Sequence, residues 1–135
     1  MDIKKKYIQL DDLEVYQLAR ELSSIGWHVY CDMDWQTKKV VGEQFIRSLD
    51  SVGANIAEGY ARYYYLDQIR FYYNARGSLG ESCEHWLDLL FERKLIKNET
   101  FHKMKGIADN LSFKLNNFIN SVYKTKESRK DSDKK

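Results

Sequence analysis

The chain contains no proline. Average usage of about 5% would give roughly seven in a chain of this size. Proline pre-sets turns and stops helices, so its absence argues against a loop-rich all-β fold and permits long unbroken helices. Cysteine is almost as scarce. Cys31 and Cys83 lie far apart and have no CxxC spacing. That excludes a disulfide scaffold and predicts buried free thiols in a reducing, cytoplasmic setting. No run of about 18 apolar residues is present, so no membrane-spanning helix is expected. The opening MDIKKKYIQLDD is basic but has no apolar stretch before Asp11 and Asp12, which does not fit a signal peptide. Phosphate-cradling GxGxxG and GxxxxGK loops are missing, and so is any HExxH or paired ExxH spacing for zinc or di-iron. His28, His85 and His102 fall on three different predicted helices. No metal and no cofactor is expected.

What is present suits a single globular domain. The 135 residues are 43% hydrophobic and 31% charged. A chain of this length buries roughly two thirds of its unfolded surface without a staple. The net charge of +2 is too small to imply nucleic acid by itself, but it is unevenly spread. Residues 1–35 carry a net −3, and residues 98–135 a net +4. Phosphate contacts come from such local patches rather than from totals.

Helical spacing of apolar residues recurs four times. Asp11 and Glu14 have the spacing of a capping box, and Val15, Leu18, Ala19, Leu22, Ile25 and Val29 follow. A turn is expected within 31–37. Val41, Phe45, Leu49, Val52 and Ile56 mark a second helix from about Lys39 to Tyr60, with Gly59 in the place of a C-terminal cap. Ile69, Tyr72, Arg76, Leu79, Cys83, Trp86 and Leu90 give a third helix a coiled-coil-like seam, with Arg76 as its one charged member. Met104, Ala108, Leu111, Leu115, Phe118 and Val122 define a fourth, opened by Asn98. The pattern predicts an all-α, antiparallel up-down-up-down four-helix bundle over 11–123. Residues 1–10 form an N-terminal extension, and the charged stretch 124–135 is expected to be a disordered tail. Gly42, Gly53, Gly77 and Gly80 lie inside helices, either to permit close helix approach or as tolerated exposed glycines.

Three groups of residues invite a functional reading. Six of the ten tyrosines crowd into 60–73, namely Tyr60, Tyr63, Tyr64, Tyr65, Tyr72 and Tyr73, interleaved with Arg62, Arg70 and Arg76. Aromatic faces and arginine dominate protein interfaces, and the same pair stacks on bases and neutralises phosphate. Ser51, Asn55 and Glu58 share a helix face, with Arg62 one turn on. They are expected to hydrogen-bond to Arg76, Ser78 or Glu81, and an enzymatic reading would use Asn55, Glu58 and Arg76. Lys103, Lys105, Lys114, Lys124, Lys126, Arg129 and Lys130 are candidate phosphate contacts, against the plainer reading of a solvated face.

Two segments, RSLDSVGANIAEGY at 47–60 and FYYNARGSLGE at 71–81, resemble motifs of a known family. These are the intervening-sequence proteins encoded within bacterial large-subunit ribosomal RNA genes. The matching positions are Ser51, Val52, Asn55, Ile56, Ala57, Glu58 and Gly59, then Ala75, Arg76, Gly77, Ser78, Leu79 and Glu81. Leu13 to Ala19 is also similar to the family's first helix. The chain departs from the family in lacking a proline in the first turn and in reading Tyr60-Ala61-Arg62-Tyr63 after the first motif. The resemblance covers about 8–123 and implies a homo-oligomeric four-helix bundle, a five-membered ring in relatives, with no established enzymatic activity. A more distant resemblance, to accessory proteins of diversity-generating retroelements, implies rings that associate with nucleic acid and a reverse transcriptase. The resulting expectation is a non-enzymatic cytoplasmic scaffold, self-associated as a pentamer and RNA-associated through its Tyr/Arg-rich and basic surfaces. The alternative is a protein-interaction adaptor without nucleic-acid affinity.

Overall fold

The computed structural model describes residues 8–134, with side chains as far as residue 127. All regular structure among the described residues is helical. A 3-10 turn at Leu10–Asp12 leads into α1, Glu14–Cys31. Helix α2 spans 35–60, α3 spans 65–92, and α4 is Asn98–Lys134. Helix α1 packs on α2 and α4, and α3 packs on the same two, so the four enclose one core.

The stripes place that core as expected. Val15, Ala19 and Leu22 of α1 and all five stripe residues of α2 are buried. From α4, Met104, Ala108, Leu111, Leu115 and Ile119 are buried, with Phe118 and Val122 partly so.

The helix ends differ from expectation. No capping box forms at Asp11 and Glu14: the residue before α1 is Leu13, which makes no side-chain cap bond. Leu13 is buried instead. Burying a leucine is worth at least as much as a cap of about 1 kcal/mol. Helix α2 begins at Trp35, ahead of the expected Lys39, because Asp34 caps it by accepting the Thr37 N–H at 2.8 Å. That bond holds the Asp34 carboxyl below its ordinary value. Helix α4 continues through Lys134, where a disordered tail had been expected from Lys124. No glycine or proline lies beyond Gly106 to stop it.

Two wide π-helical turns interrupt the pattern, at Lys38–Gly42 in α2 and Glu81–Trp86 in α3. The second shifts the face of α3 that meets the core. Beyond it Leu87 is fully buried, and Trp86 is only partly so. A π-turn holds one more residue than an α-turn, so it carries the next core position one place along. Upstream, Ala75 is buried in place of Arg76, which is exposed. The charged member of the predicted seam is therefore outside the core. Cys83 is buried as expected, but Cys31 is exposed at the end of α1.

Candidate interaction site

The aromatic corner is built where α2 hands over to α3. Helix α2 ends at Tyr60, and Ala61 carries an ordinary right-handed φ of −81°. Gly59 therefore is not the left-handed cap the sequence suggested. Its role is close approach. A Cβ at Gly59 would lie 2.7 Å from Cε1 of Tyr72 and 2.9 Å from Cβ of Phe71. The turn is closed by the Arg62 N–H to the Gly59 carbonyl at 3.1 Å, and by the Gln68 amide donating to the Arg62 carbonyl at 2.8 Å.

The structure divides the six tyrosines into packed and presented. Tyr72 is not a surface residue. It is completely buried and meets Phe118 edge-on at 4.9 Å. Its hydroxyl has no partner among the described residues, and burial pushes its pKa far up. Tyr60 is half-buried and donates its hydroxyl to the Ile8 carbonyl, tying the N-terminal extension to the corner. Tyr65 is partly buried at the start of α3. Tyr73 lies under the Arg76 guanidinium at 4.7 Å, and its hydroxyl raises the pKa of Tyr123 on α4. Tyr63 and Tyr64 are presented: they are 86% and 68% exposed, edge to face at 5.0 Å, beside exposed Leu66.

The arginines are largely occupied within the protomer. Arg62 lies over Phe71 at 4.8 Å and pairs with Glu58 at 2.8 Å. Arg70 lies over the same ring at 5.2 Å. Arg76 reaches α4 through the Asn116 side-chain oxygen at 3.2 Å. All three remain exposed at their outer faces.

The polar motif residues join α2 to α3. The Ser78 hydroxyl donates to the Ser51 hydroxyl oxygen at 3.0 Å. The Asn55 amide donates to the Ser51 carbonyl at 2.8 Å and to its hydroxyl at 2.9 Å. Next along α3, the buried Ser82 hydroxyl donates to the Ser78 carbonyl at 2.8 Å. Glu81 does not join this network but accepts the Trp86 indole N–H at 2.9 Å across the π-turn. Glu58, exposed and paired with Arg62, lines neither of the cavities described below. The enzymatic constellation of Asn55, Glu58 and Arg76 therefore divides among three separate sets of partners. Gly77, within the same motif, is open to space: a Cβ there would have nothing within 4 Å.

The lysines also divide. Lys105 donates to the Cys83 carbonyl at 2.6 Å and pairs with Asp88 at 2.7 Å, so it braces α3 against α4. Lys114 pairs with Glu14 of α1 at 3.1 Å, and Lys126 with Glu127 at 3.4 Å. Lys103 and Lys124 are exposed. The side chains of Arg129 and Lys130 lie outside the described residues.

Several features carry no local sequence signal. A cavity of about 590 Å³ opens between the α1–α2 and α3–α4 turns and includes His28, Asp32, Lys94 and Lys97 in its lining. A smaller one of about 170 Å³ lies between α3 and α4 beside Arg76, Cys83 and Lys105. Their walls come from segments distant in the chain, which no window-based pattern joins. Exposed Trp27 and Trp35 were legible only as residues off the apolar stripes. Trp27 stacks on Tyr30 at 5.4 Å, and Lys39 lies near the Trp35 ring at 5.8 Å. His85 rests on Trp86 and His102 on Phe101, as aromatic packing partners. No group of three or more His, Cys, Asp or Glu among the described residues is placed to hold a metal. No helix among them is long and apolar enough to cross a membrane.

The architecture has a known counterpart. A crystal structure of a protein of unknown function from the S23 ribosomal protein family of Bacteroides thetaiotaomicron matches with a TM-score of 0.72. The two chains are 24% identical, and the match covers 78% of this chain and 97% of that one. At that identity the likeness speaks to the fold alone. No curated protein matches the chain. The family model for the 23S rRNA-intervening sequence protein matches residues 11–117, a span that contains the Ser51–Asn55–Ser78 network, Gly59 and the aromatic corner, and the chain belongs to that family.

Proposed function

We propose that the chain is a non-enzymatic scaffold that assembles with copies of itself through the aromatic corner. The observation that carries this reading is the outward presentation of Tyr63 and Tyr64, packed edge to face, with exposed Leu66 close by in the chain, in the turn that follows α2. Rigid aromatic side chains lose little entropy on contact and dominate interface energies. Leaving such a cluster in water is unfavourable, and a second copy is the partner the family resemblance favours. The assembly is read as a closed homo-oligomeric ring, with five members as in relatives.

Within each protomer the reading is an antiparallel up-down-up-down bundle. It is supported by contacts that descend one helix while climbing the next. Gly26 lies against Leu49 and Gly53 against Ala19. Asn116 meets Arg76, and Lys105 meets Asp88.

RNA association is the second reading, supported by the two exposed stackable rings of Tyr63 and Tyr64 and by exposed Arg70, Lys103 and Lys124. In a ring, each such cation repeats once per subunit, which raises the local potential well above that of one chain. A protein-interaction adaptor without nucleic-acid affinity is the alternative. Native mass spectrometry of protein purified at low salt without nuclease tests all three. A peak near five times 16.1 kDa is expected. Extra mass removed by ribonuclease supports RNA association, and a clean oligomer supports the adaptor. A monomer overturns self-assembly.

A further inference from the structure

The cavity between the α1–α2 and α3–α4 turns combines an apolar floor with charges of both signs. Ile25, Val29, Met33 and Ile96 are among its apolar walls. Asp32 and Asp34 come from one turn, Lys94 and Lys97 from the other. No ion pair among the described residues joins these acids to these lysines, although both pairs face one opening. Its volume of about 590 Å³ lies within the range of small-molecule sites.

Lys94 adds an independent observation. Helix α3 ends in a Schellman motif: the Leu95 N–H bonds the Leu90 carbonyl at 2.8 Å, and the Lys94 N–H bonds the Phe91 carbonyl at 3.1 Å. The first residue past the helix cap adopts a left-handed conformation in this motif, and glycine usually fills that place. Here it is Lys94, with φ 60°, the one non-glycine residue of positive φ among those described. A lysine there gives up backbone ease and supplies a cation to the cavity rim.

We propose that this cavity binds a small zwitterion with an apolar body, of the class of a free amino acid with a large hydrophobic side chain. The carboxylate would face Lys94 and Lys97, the ammonium would face Asp32, and the side chain would rest on Val29, Met33 and Ile96. Complementarity selects this class. The two acids and two lysines balance, so a ligand carrying one charge alone leaves one side of the rim unmatched. The site uses turns other than the aromatic corner and is independent of self-assembly.

Isothermal titration of the full chain with L-phenylalanine and L-tryptophan at millimolar concentrations tests it. One-to-one binding is expected. N-acetyl-L-phenylalanine, which lacks the cation, and L-phenylalaninamide, which lacks the anion, should each bind about tenfold more weakly, the loss of one charge-assisted contact. Lys94→Gly should raise the melting temperature and weaken L-phenylalanine about tenfold, a pairing that misfolding does not produce. Lys97→Met should weaken it similarly. The Tyr63→Ser/Tyr64→Ser variant should bind as the unchanged protein does, which separates this site from the proposed assembly. Absence of binding by both amino acids, binding of the acetylated or the amidated form as tightly as L-phenylalanine, or unchanged affinity in Lys94→Gly would each overturn the proposal.

Discussion

Two glycines of similar sequence context have opposite physical roles. Gly59 and Gly77 both sit in the motifs that mark the family, and both lie in helices. Gly59 is buried, and any side chain there would collide with the Tyr72 ring and the Phe71 Cβ. Gly59→Ala is therefore expected to destabilise the fold by about 1–3 kcal/mol, read from chemical denaturation. Gly77 faces open space, so Gly77→Ala is expected to stabilise the protomer by about 0.5–1 kcal/mol through helix propensity. Unchanged stability in both variants would refute this division. Tyr72 carries a related contrast. Its ring fills the core, while its hydroxyl lacks a partner among the described residues. Tyr72→Phe should leave stability within about 1 kcal/mol of the original or raise it, because the lost group pays a desolvation penalty without a bond in return. A loss of several kcal/mol would mean that the hydroxyl is satisfied in solution. The cysteines differ in the same testable way. Cys31 is exposed, whereas burial pushes the Cys83 thiol up to about 11. A thiol reagent at neutral pH should label one site quickly and the second only on unfolding.

At the scale of elements, the π-turn at Glu81–Trp86 corrects the period on which the sequence reading relied. A strict three-four alternation carries the core from Cys83 to Trp86, but the wider turn carries it to Leu87. If the turn holds one extra residue, removing an exposed member of it should heal the helix and leave both flanking faces in place. Deletion of Glu84 is thus expected to give a folded, cooperatively melting chain. Deletion of Asn74, equally exposed but in ordinary helix, rotates the two halves of α3 by about 100° against each other. That misplaces several core residues, each worth about 2–5 kcal/mol on truncation, and should unfold the protein. Equal damage from the two deletions, followed by circular dichroism, would argue against the extra-residue account.

For the whole molecule, the decisive question is what covers Tyr63, Tyr64 and Leu66. Their exposure contributes nothing to the protomer's own core, so Tyr63→Ser/Tyr64→Ser should leave its melting transition within about 0.5 kcal/mol. The same change should shift the native mass spectrum toward monomer. Retained assembly in that variant would move the interface elsewhere, and loss of folding would show that the corner is packing rather than contact surface.

The four helices and most of their buried faces were legible because apolar period is a local property. Val41, Phe45, Leu49, Val52 and Ile56 needed no knowledge of their neighbours to be placed inside. The motif around Asn55 and Ser78 was legible too, since short hydroxyl and amide side chains on facing helices need one another. Sequence alone could not sort the tyrosines, because a tyrosine suits core, bond or surface equally well. Only the approach of α3 to Gly59 put Tyr72 inside, and only the turn after Tyr60 left Tyr63 and Tyr64 outside. The same holds for the lysines, which Asp88 and Glu14 claim from other helices. The cavity between the turns is the extreme case, since its two walls lie some sixty residues apart in the chain. Periodicity along one strand of sequence determines which residues seek a core. Which polar and aromatic groups remain free for function depends on what the other helices bring against them, and that is a property of the packed molecule.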